Sequence, residues 1–397
     1  MNDTVNDRVR DTPLLAEHEA LGATFTEFAG WRMPLRYASE LAEHRAVRTA
    51  AGLFDLSHMG EIRVSGPTAA ADLDAALVGW LSRLAVGRAR YTMLCDEAGG
   101  VLDDLVVYRT GEDDFLVVAN AANHDVVLAA LGERCAPGAV RDETATTALL
   151  AVQGPAAAGI VAALAGPEGT GLGNYAATSA VVAGAAGLVA RTGYTGEDGF
   201  ELYVPAGSAA TVWRAALAAG AGAGLVPVGL AARDTLRLEA GMPLYGHELD
   251  RTTTPFEAGL GRVVRLDKTG PDGAPLPFVG RAPLAARAGS NPARVLVGLR
   301  VLGRRPVRHG DVVLTTKGGA TVGTVTSGAP SPTLGHPIAL AYVTPEVSRS
   351  GSRLVVDVRG RAEAVEVANL PFYRRSRAET ATVRDDVPPG TSAPEEE

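Results

Sequence analysis

The chain has 397 residues, 46% of them hydrophobic and 21% charged, which is more than one ordinary core organises, so two or three domains are expected. Forty-five acids against 37 bases give a formal net charge of -8, which argues against a protein that coats nucleic acid, because counterion displacement needs surplus cations. The apolar content also excludes disordered and collagen-like chains, despite 47 Gly.

Residues 1–11 are polar and expected to be disordered. From Thr12 a helical pattern begins: Thr12 can cap, Pro13 suits a first turn, and Leu14, Leu15 and Leu21 supply an apolar side. Residues 40–50 read as a second helix. Tyr91–Cys95 and Val101–Arg109 flank DEAGG (Asp96–Gly100) and predict a β-hairpin. Phe115–Ala119 is a further strand, and 123–133 and 155–165 look helical. Val181–Arg191 and Phe200–Val204 are predicted strands around a Gly-rich turn, followed by helices over 207–220 and 229–240. Residues 268–294 are rich in Pro and Gly without a sustained period and read as a linker. Beyond it, short runs at 295–302, 311–316, 320–326, 338–343 and 353–368 predict an all-β barrel or sandwich within 295–377. Residues 378–397, ending in PPGTSAPEEE, are expected to form a disordered acidic tail.

No run of roughly 18 apolar residues supports a membrane-spanning helix, and the mixed-charge N-terminus does not resemble a signal peptide. Cys95 and Cys135 form no CxxC and read as two buried thiols in a reducing cytoplasm. There is no GxxxxGK[ST] loop, no HExxH or clustered Cys/His spacing, no GxSxG elbow, and no strand–GxGxxG–helix unit. Nucleotide and metal enzymes are therefore not favoured.

Three constellations remain. In GGVLDDLVVY each aspartate falls in an apolar row of the strand: Asp104 aligns with Leu102, Val106 and Tyr108, and Asp103 with Val101, Leu105 and Val107. Such a carboxylate is paired, protonated or functional, since desolvation raises its pKa; the plainer alternative is a pair that binds the turn amides. Alternation does not choose between the two. In GYTGEDGFE (Gly193–Glu201) three glycines permit close backbone approach, and Glu201 faces away from Phe200 and Leu202. It is either a solvated strand residue or a carboxylate offering two acceptors to a heterocycle with adjacent N–H donors. In GLAARDTLRLEAG (Gly229–Gly241) Arg233 and Arg237 share a helix side. Asp234 and Arg237 can form an exposed pair worth a few tenths of a kcal/mol, whereas a ligand-facing Arg would offer a fixed fork of donors.

In this order the motifs are specific. With TPL (Thr12–Leu14), FAGWRMP (Phe28–Pro34), DLSHMGE (Asp55–Glu61), QGP (Gln153–Pro155), LYGHELD (Leu244–Asp250), TTPFEAGL (Thr253–Leu260), TSGAPSPTLG (Thr326–Gly335) and PFY (Pro371–Tyr373), the chain resembles the T-protein family of the glycine cleavage system from Thr12 to about Arg377. These are tetrahydrofolate-dependent aminomethyltransferases. The resemblance implies an α+β fold, a cloverleaf of three domains around a folate channel, with two interleaved α+β domains over 12–267 and a C-terminal β-barrel. It implies Asp104 as the catalytic acid, Glu201 and Arg233 as pterin-binding groups, and Tyr91, Tyr108, Asn120 and Tyr194 as lining the folate site. The family uses a basic residue after PFY; in YRRSRAE that role falls among Arg374, Arg375 and Arg377, with Arg374 and Arg377 carried forward. The implied co-substrate is tetrahydrofolate, with no metal and no nucleotide. The implied partners are lipoylated H protein and, in the wider system, glycine decarboxylase P protein and dihydrolipoyl dehydrogenase L protein, with no nucleic acid or membrane.

Two relatives of the same fold class are the alternatives. A non-enzymatic folate-binding protein supporting iron–sulfur assembly would carry a KGCYxGQE-type motif, where this chain has FVGRAPL (Phe278–Leu284) without Cys. A folate-dependent demethylase is the other, and the intact RTGYTGEDGFE and LYGHELD runs favour the aminomethyltransferase. Finally, residues 378–397 contribute -5 of the net charge and residues 1–11 another -1. The body is therefore nearly neutral, and its arginines can act locally on an anionic folate tail.

Overall fold

The computed structural model describes residues 9–270 and 272–375; Arg377 and the acidic tail lie outside them. It is an α+β structure of three β-assemblies and a small accessory sheet. A six-stranded sheet runs in the order Ala177–Val182, Ala185–Ala190, Gly199–Pro205, Thr147–Gln153, Ala51–Asp55, Leu225–Pro227. A five-stranded sheet runs Ala89–Cys95, Val101–Gly111, Asp114–Ala119, Gly60–Ser65, Val140–Asp142. Six strands between Val295 and Ala368 close into a barrel.

Alternation along the strands builds three layers. Leu150, Val152, Phe200 and Leu202 bury on the outer face of the six-stranded sheet, under helices Ala157–Ala165 and Ala209–Gly220 with Trp213. Leu105, Val107 and Val117 do the same for the five-stranded sheet, under helices Ala69–Ala76 and His124–Arg134. The opposite faces meet: Leu149, Ala151 and Tyr203 from one sheet pack with Tyr108, Leu116 and Val118 from the other. Asp104 and Glu201 have the parity of Tyr108 and Tyr203, so the pleat delivers both carboxylates to the space between the sheets.

Local chemistry sets the element ends. Ser39, in an extended conformation, caps helix Glu40–Thr49 by accepting from the Ala42 amide at 3.2 Å, with Glu40 and Glu43 in the first turn and Arg48 in the last. Several expectations are corrected. Val181–Arg191 is not one strand; the chain reverses at Ala183–Gly184, making a hairpin of Ala177–Val182 with Ala185–Ala190. The 353–368 run likewise folds back at Arg359–Gly360 into two barrel strands. Between 268 and 294 a short helix, Arg281–Arg287, follows Gly280. Arg10 and Asp11 are ordered, pairing in parallel with Trp31 and Arg32.

The barrel is seated by two buried polar networks from helix Leu230–Glu239. Arg237 is not on an exposed face: it is 1% exposed and donates to Asp234 (2.8 Å), Glu248 (3.0 Å) and Ser327 of the barrel (2.8 Å). Glu239 accepts from Arg48, His44, the Thr333 amide and hydroxyl, and Ser331. Burial raises the Glu239 pKa, but the bonds from His44 and Ser331 and the Arg48 charge outweigh it and hold it at about 2. A folded pKa below the ordinary value of 4.5 means stability present above that pH and lost as pH falls toward 2. Glu239→Gln is therefore expected to be less stable at neutral pH and to unfold with a shallower pH dependence between about pH 4.5 and 2. Urea midpoints across that window check it; a slope equal to wild type would remove Glu239 from the acid response.

Candidate active site

The site begins at the hairpin of Ala89–Cys95 with Val101–Gly111. Tyr91 donates its hydroxyl to Asp104 Oδ2 at 2.9 Å, and Asn120, just past the next strand, donates Nδ2 to Asp104 Oδ1 at 2.9 Å. Burial raises the Asp104 pKa, with the Tyr91 and Asn120 bonds working against it. No cation is bonded to this carboxylate among the described residues. Asp103 points to the other face, is fully buried, and accepts from the Asn120 amide N–H, Asn120 Nδ2 and Asn123 Nδ2. Burial, and then the Asp104 charge, pushes Asp103 up to about 7.

Glu201 sits across the gap. Its Oε2 accepts from Thr192 (2.6 Å), Tyr108 (2.9 Å) and Tyr203 (3.3 Å). Its Oε1 has no hydrogen-bond partner among the described residues, so one carboxylate oxygen is clamped and the other is available. The loop before it is held by Gln153, which donates to the Thr192 carbonyl and accepts from Thr195. A Cβ at Gly193 would fall 2.0 Å from Gln153 Oε1, and one at Gly199 2.3 Å from its Nε2. Those two glycines leave the room that the QGP glutamine amide occupies, which the sequence did not reveal.

Arg233 lies on the first turns of helix Leu230–Glu239, its guanidinium over the Tyr194 ring at 4.9 Å. It makes no hydrogen bond or ion pair among the described residues, and burial lowers its pKa against the opposing charges of Tyr194 and Glu201. The Tyr194 hydroxyl is tied to the Pro243 carbonyl. His58, from DLSHMGE, is buried with Nδ1 unpartnered; burial and the nearby Arg233 charge depress it to about 4, so it stays neutral. Together these residues make a Tyr-lined space holding a free carboxylate oxygen, an uncommitted guanidinium and a second carboxylate. That set suits a heterocycle with N–H donors and a carbonyl, next to a group able to exchange protons or stabilise positive charge.

Tyr91, Asp104 and Asn120 form one cluster, Tyr108 and Glu201 a second, and Tyr194 and Arg233 a third. The C-terminal arginines do not join them. Arg374 is exposed and donates only to the Leu370 carbonyl at 3.4 Å, Arg375 lies 3.5 Å from Asp198, and Arg377 is outside the described residues. Tyr373 instead stacks on Arg48 at 4.0 Å. Sequence reasoning missed Tyr203, Thr192, Asn123 and His58. Tyr203 was reachable, being two residues from Glu201 on the same strand face; Thr192 and His58 lie inside RTGYTGEDGFE and DLSHMGE, but residue type and spacing did not set them apart there. A cleft of about 420 Å³ at the barrel, lined by His247, Asp250, Arg294, His309 and Tyr342, contains none of the predicted site residues. Among the described residues no group of three or more His, Cys, Asp or Glu is placed to hold a metal ion, and no helix is long and apolar enough to cross a membrane.

Comparison with known proteins gives the following. Residues 14–268 match the GCVT N-terminal domain family and residues 294–374 the glycine cleavage T-protein C-terminal barrel domain family. An aminomethyltransferase from Saccharopolyspora erythraea is 60% identical, covering 92% of this chain and 99% of the relative. One from Streptomyces coelicolor is 58% identical, covering 93% and 99%. The crystal structure of the glycine cleavage system aminomethyltransferase T from Bartonella henselae superposes with a TM-score of 0.81 at 36% identity, covering 92% and 98%.

Proposed function

The chain belongs to the glycine cleavage T-protein family and is an aminomethyltransferase, and from that premise we propose that the Asp104–Glu201–Arg233 space binds tetrahydrofolate and receives the lipoyl arm of H protein. The observation that carries this reading is the pair of uncommitted groups, Glu201 Oε1 and the Arg233 guanidinium. The guanidinium is half-buried and has no protein partner among the described residues, so its fork of donors stands open to an acceptor that a ligand would supply. Tetrahydrofolate fits: its pterin offers adjacent N–H donors for Glu201 and a carbonyl for Arg233, and its reduced amine nitrogens accept the one-carbon unit.

The atoms balance when the methylene carbon exchanges its bonds to sulfur and to the amine for two bonds to folate nitrogen. The two displaced N–H hydrogens leave on the thiol and on ammonia, giving 5,10-methylenetetrahydrofolate, ammonia and dihydrolipoyl H protein. Asp104, held by Tyr91 and Asn120, is the carboxylate that exchanges a proton with, or balances positive charge on, the nitrogens undergoing substitution. Tyr108, Thr192 and Tyr203 keep Glu201 from rotating, so the ligand meets a fixed acceptor. The wider reading places the protein in the cytoplasm, working with the P and L proteins.

The test is release of ammonia from aminomethyl-loaded, lipoylated H protein. Release that requires tetrahydrofolate is expected; activity only on a sulfonium or methyl-ether donor would overturn the reading in favour of a demethylase.

A further inference from the structure

Asp103, fully buried, and Asp104, half-buried, are adjacent carboxylates with no cation bonded to either among the described residues. One amide joins them: Asn120 Nδ2 lies 2.9 Å from Asp103 Oδ1 and 2.9 Å from Asp104 Oδ1. Its two hydrogens are therefore both committed, one toward Asp103 and the other toward Asp104, where the main-chain carbonyl at 3.1 Å shares the nitrogen with the carboxylate. The reverse amide orientation would press a carbonyl oxygen against two carboxylates, so chemistry fixes which end points where. The Asn120 carbonyl oxygen is left accepting from no described residue. Asp103 also holds the Asn120 main-chain N–H at 2.9 Å and Asn123 Nδ2 at 2.6 Å. Each Asp103 oxygen thus meets at least one donor, and an amide at 103 would have to set its own NH₂ against an N–H.

We propose that Asp103 is a positioning residue of the transfer reaction: it locks the Asn120 amide so that its nitrogen holds Asp104 and its carbonyl oxygen is presented to an N–H of the reacting amine. The proposal rests on Asp104 being the catalytic carboxylate. It gives Asp103 no contact with substrate; it acts through Asn120 and through its charge. Other titratable or charged groups act on this pair. They are Tyr91 from the neighbouring strand, Tyr194 from the loop before Glu201, and Glu248 and Tyr245 from the segment after helix Leu230–Glu239, where Arg251 faces Tyr245. None of them bridges both carboxylates.

The experiment measures turnover, folate affinity and the pH–rate profile of Asp103→Asn, Asn120→Ala, the double variant and Asp104→Asn, with folding checked by thermal melts. Asp103→Asn should lower kcat about 10-fold with KM for folate near wild type, a modest misplacement cost. Its acid limb should change shape, losing the inflection near pH 7 that ionisation of Asp103 contributes. In the Asn120→Ala background the same substitution should lower kcat no further, the non-additivity of residues acting as a unit. A folded Asp103→Asn with wild-type kcat and acid limb overturns the proposal, as does full additivity. If Asp104→Asn itself keeps normal turnover, it is the reading of Asp104 that fails. Should Asp103→Asn not fold, Asn123→Ala removes one of the Asp103 donors without touching Asp104: reduced kcat at unchanged folate affinity is expected, and wild-type kcat overturns the proposal.

Discussion

Asp104→Asn is expected to bind folate within a few-fold of wild type and to lose at least about 10²-fold in turnover, the lower end of what a positioned acid–base group contributes. The substitution is nearly isosteric, and its surroundings accept it. The amide oxygen can take the Asn120 Nδ2 bond, and the Tyr91 hydroxyl can turn from donor to acceptor against the new NH₂. Replacing one of two neighbouring carboxylates also removes a like-charge repulsion, so the melting temperature should hold or rise. Binding survives because the uncommitted groups that would grip the pterin, Glu201 Oε1 and Arg233, stand on other elements. What disappears is a carboxylate that can carry charge or a proton beside the substituted nitrogens. Steady-state turnover with loaded H protein, paired with equilibrium folate binding, is the measurement. Near-normal turnover would take Asp104 out of the reaction, and loss of binding in step with turnover would recast it as a ligand-holding group.

Much of this was legible in sequence, and the limits have physical causes. The hairpin at Asp96–Gly100 and the barrel strands follow from turn chemistry and alternation, which are local. The alternation also placed Glu201 opposite Phe200 and Leu202. It could not say which aspartate mattered, because that depends on which face of the Val101–Gly111 strand packs under helices and which meets the other sheet. Residue 103 and residue 104 look equivalent until a second sheet is present; motif resemblance, not pattern, singled out Asp104. Arg237 failed for a similar reason. Asp234 is three residues away and suggests an exposed pair, whereas Glu248 and Ser327 come from 11 and 90 residues along the chain. Arg233, four residues earlier on the same helix, has no such distant partner. That difference between two arginines in one motif is invisible in sequence and separates a structural cation from one left open to a ligand.

From that contrast comes an opposite pair of effects for one substitution: Arg233→Met should make the free protein more stable and the folate complex weaker. The guanidinium is half-buried against Tyr194, lacks any acceptor among the described residues, and has its pKa lowered by desolvation. A charged group partly withdrawn from water without a partner opposes folding, and methionine fills a similar irregular volume without charge. A small gain is expected, toward the lower end of the roughly 0.5–2 kcal/mol of single stabilising substitutions, because the group keeps part of its solvent contact. Binding moves the other way. A hydrogen bond from a charged donor contributes about 1.5–3 kcal/mol, so the folate dissociation constant should rise roughly 10- to 150-fold. Thermal melts with and without folate read both effects: the apo midpoint rises, and the folate-induced increase shrinks because it follows the ratio of ligand concentration to dissociation constant. Arg237→Met provides the contrast, since removing that cation strands Glu248 in the core and should destabilise the protein with or without folate. If Arg233→Met instead lowers the apo midpoint while folate binds as before, Arg233 is a packing residue like its neighbour, and the ligand must be gripped from elsewhere.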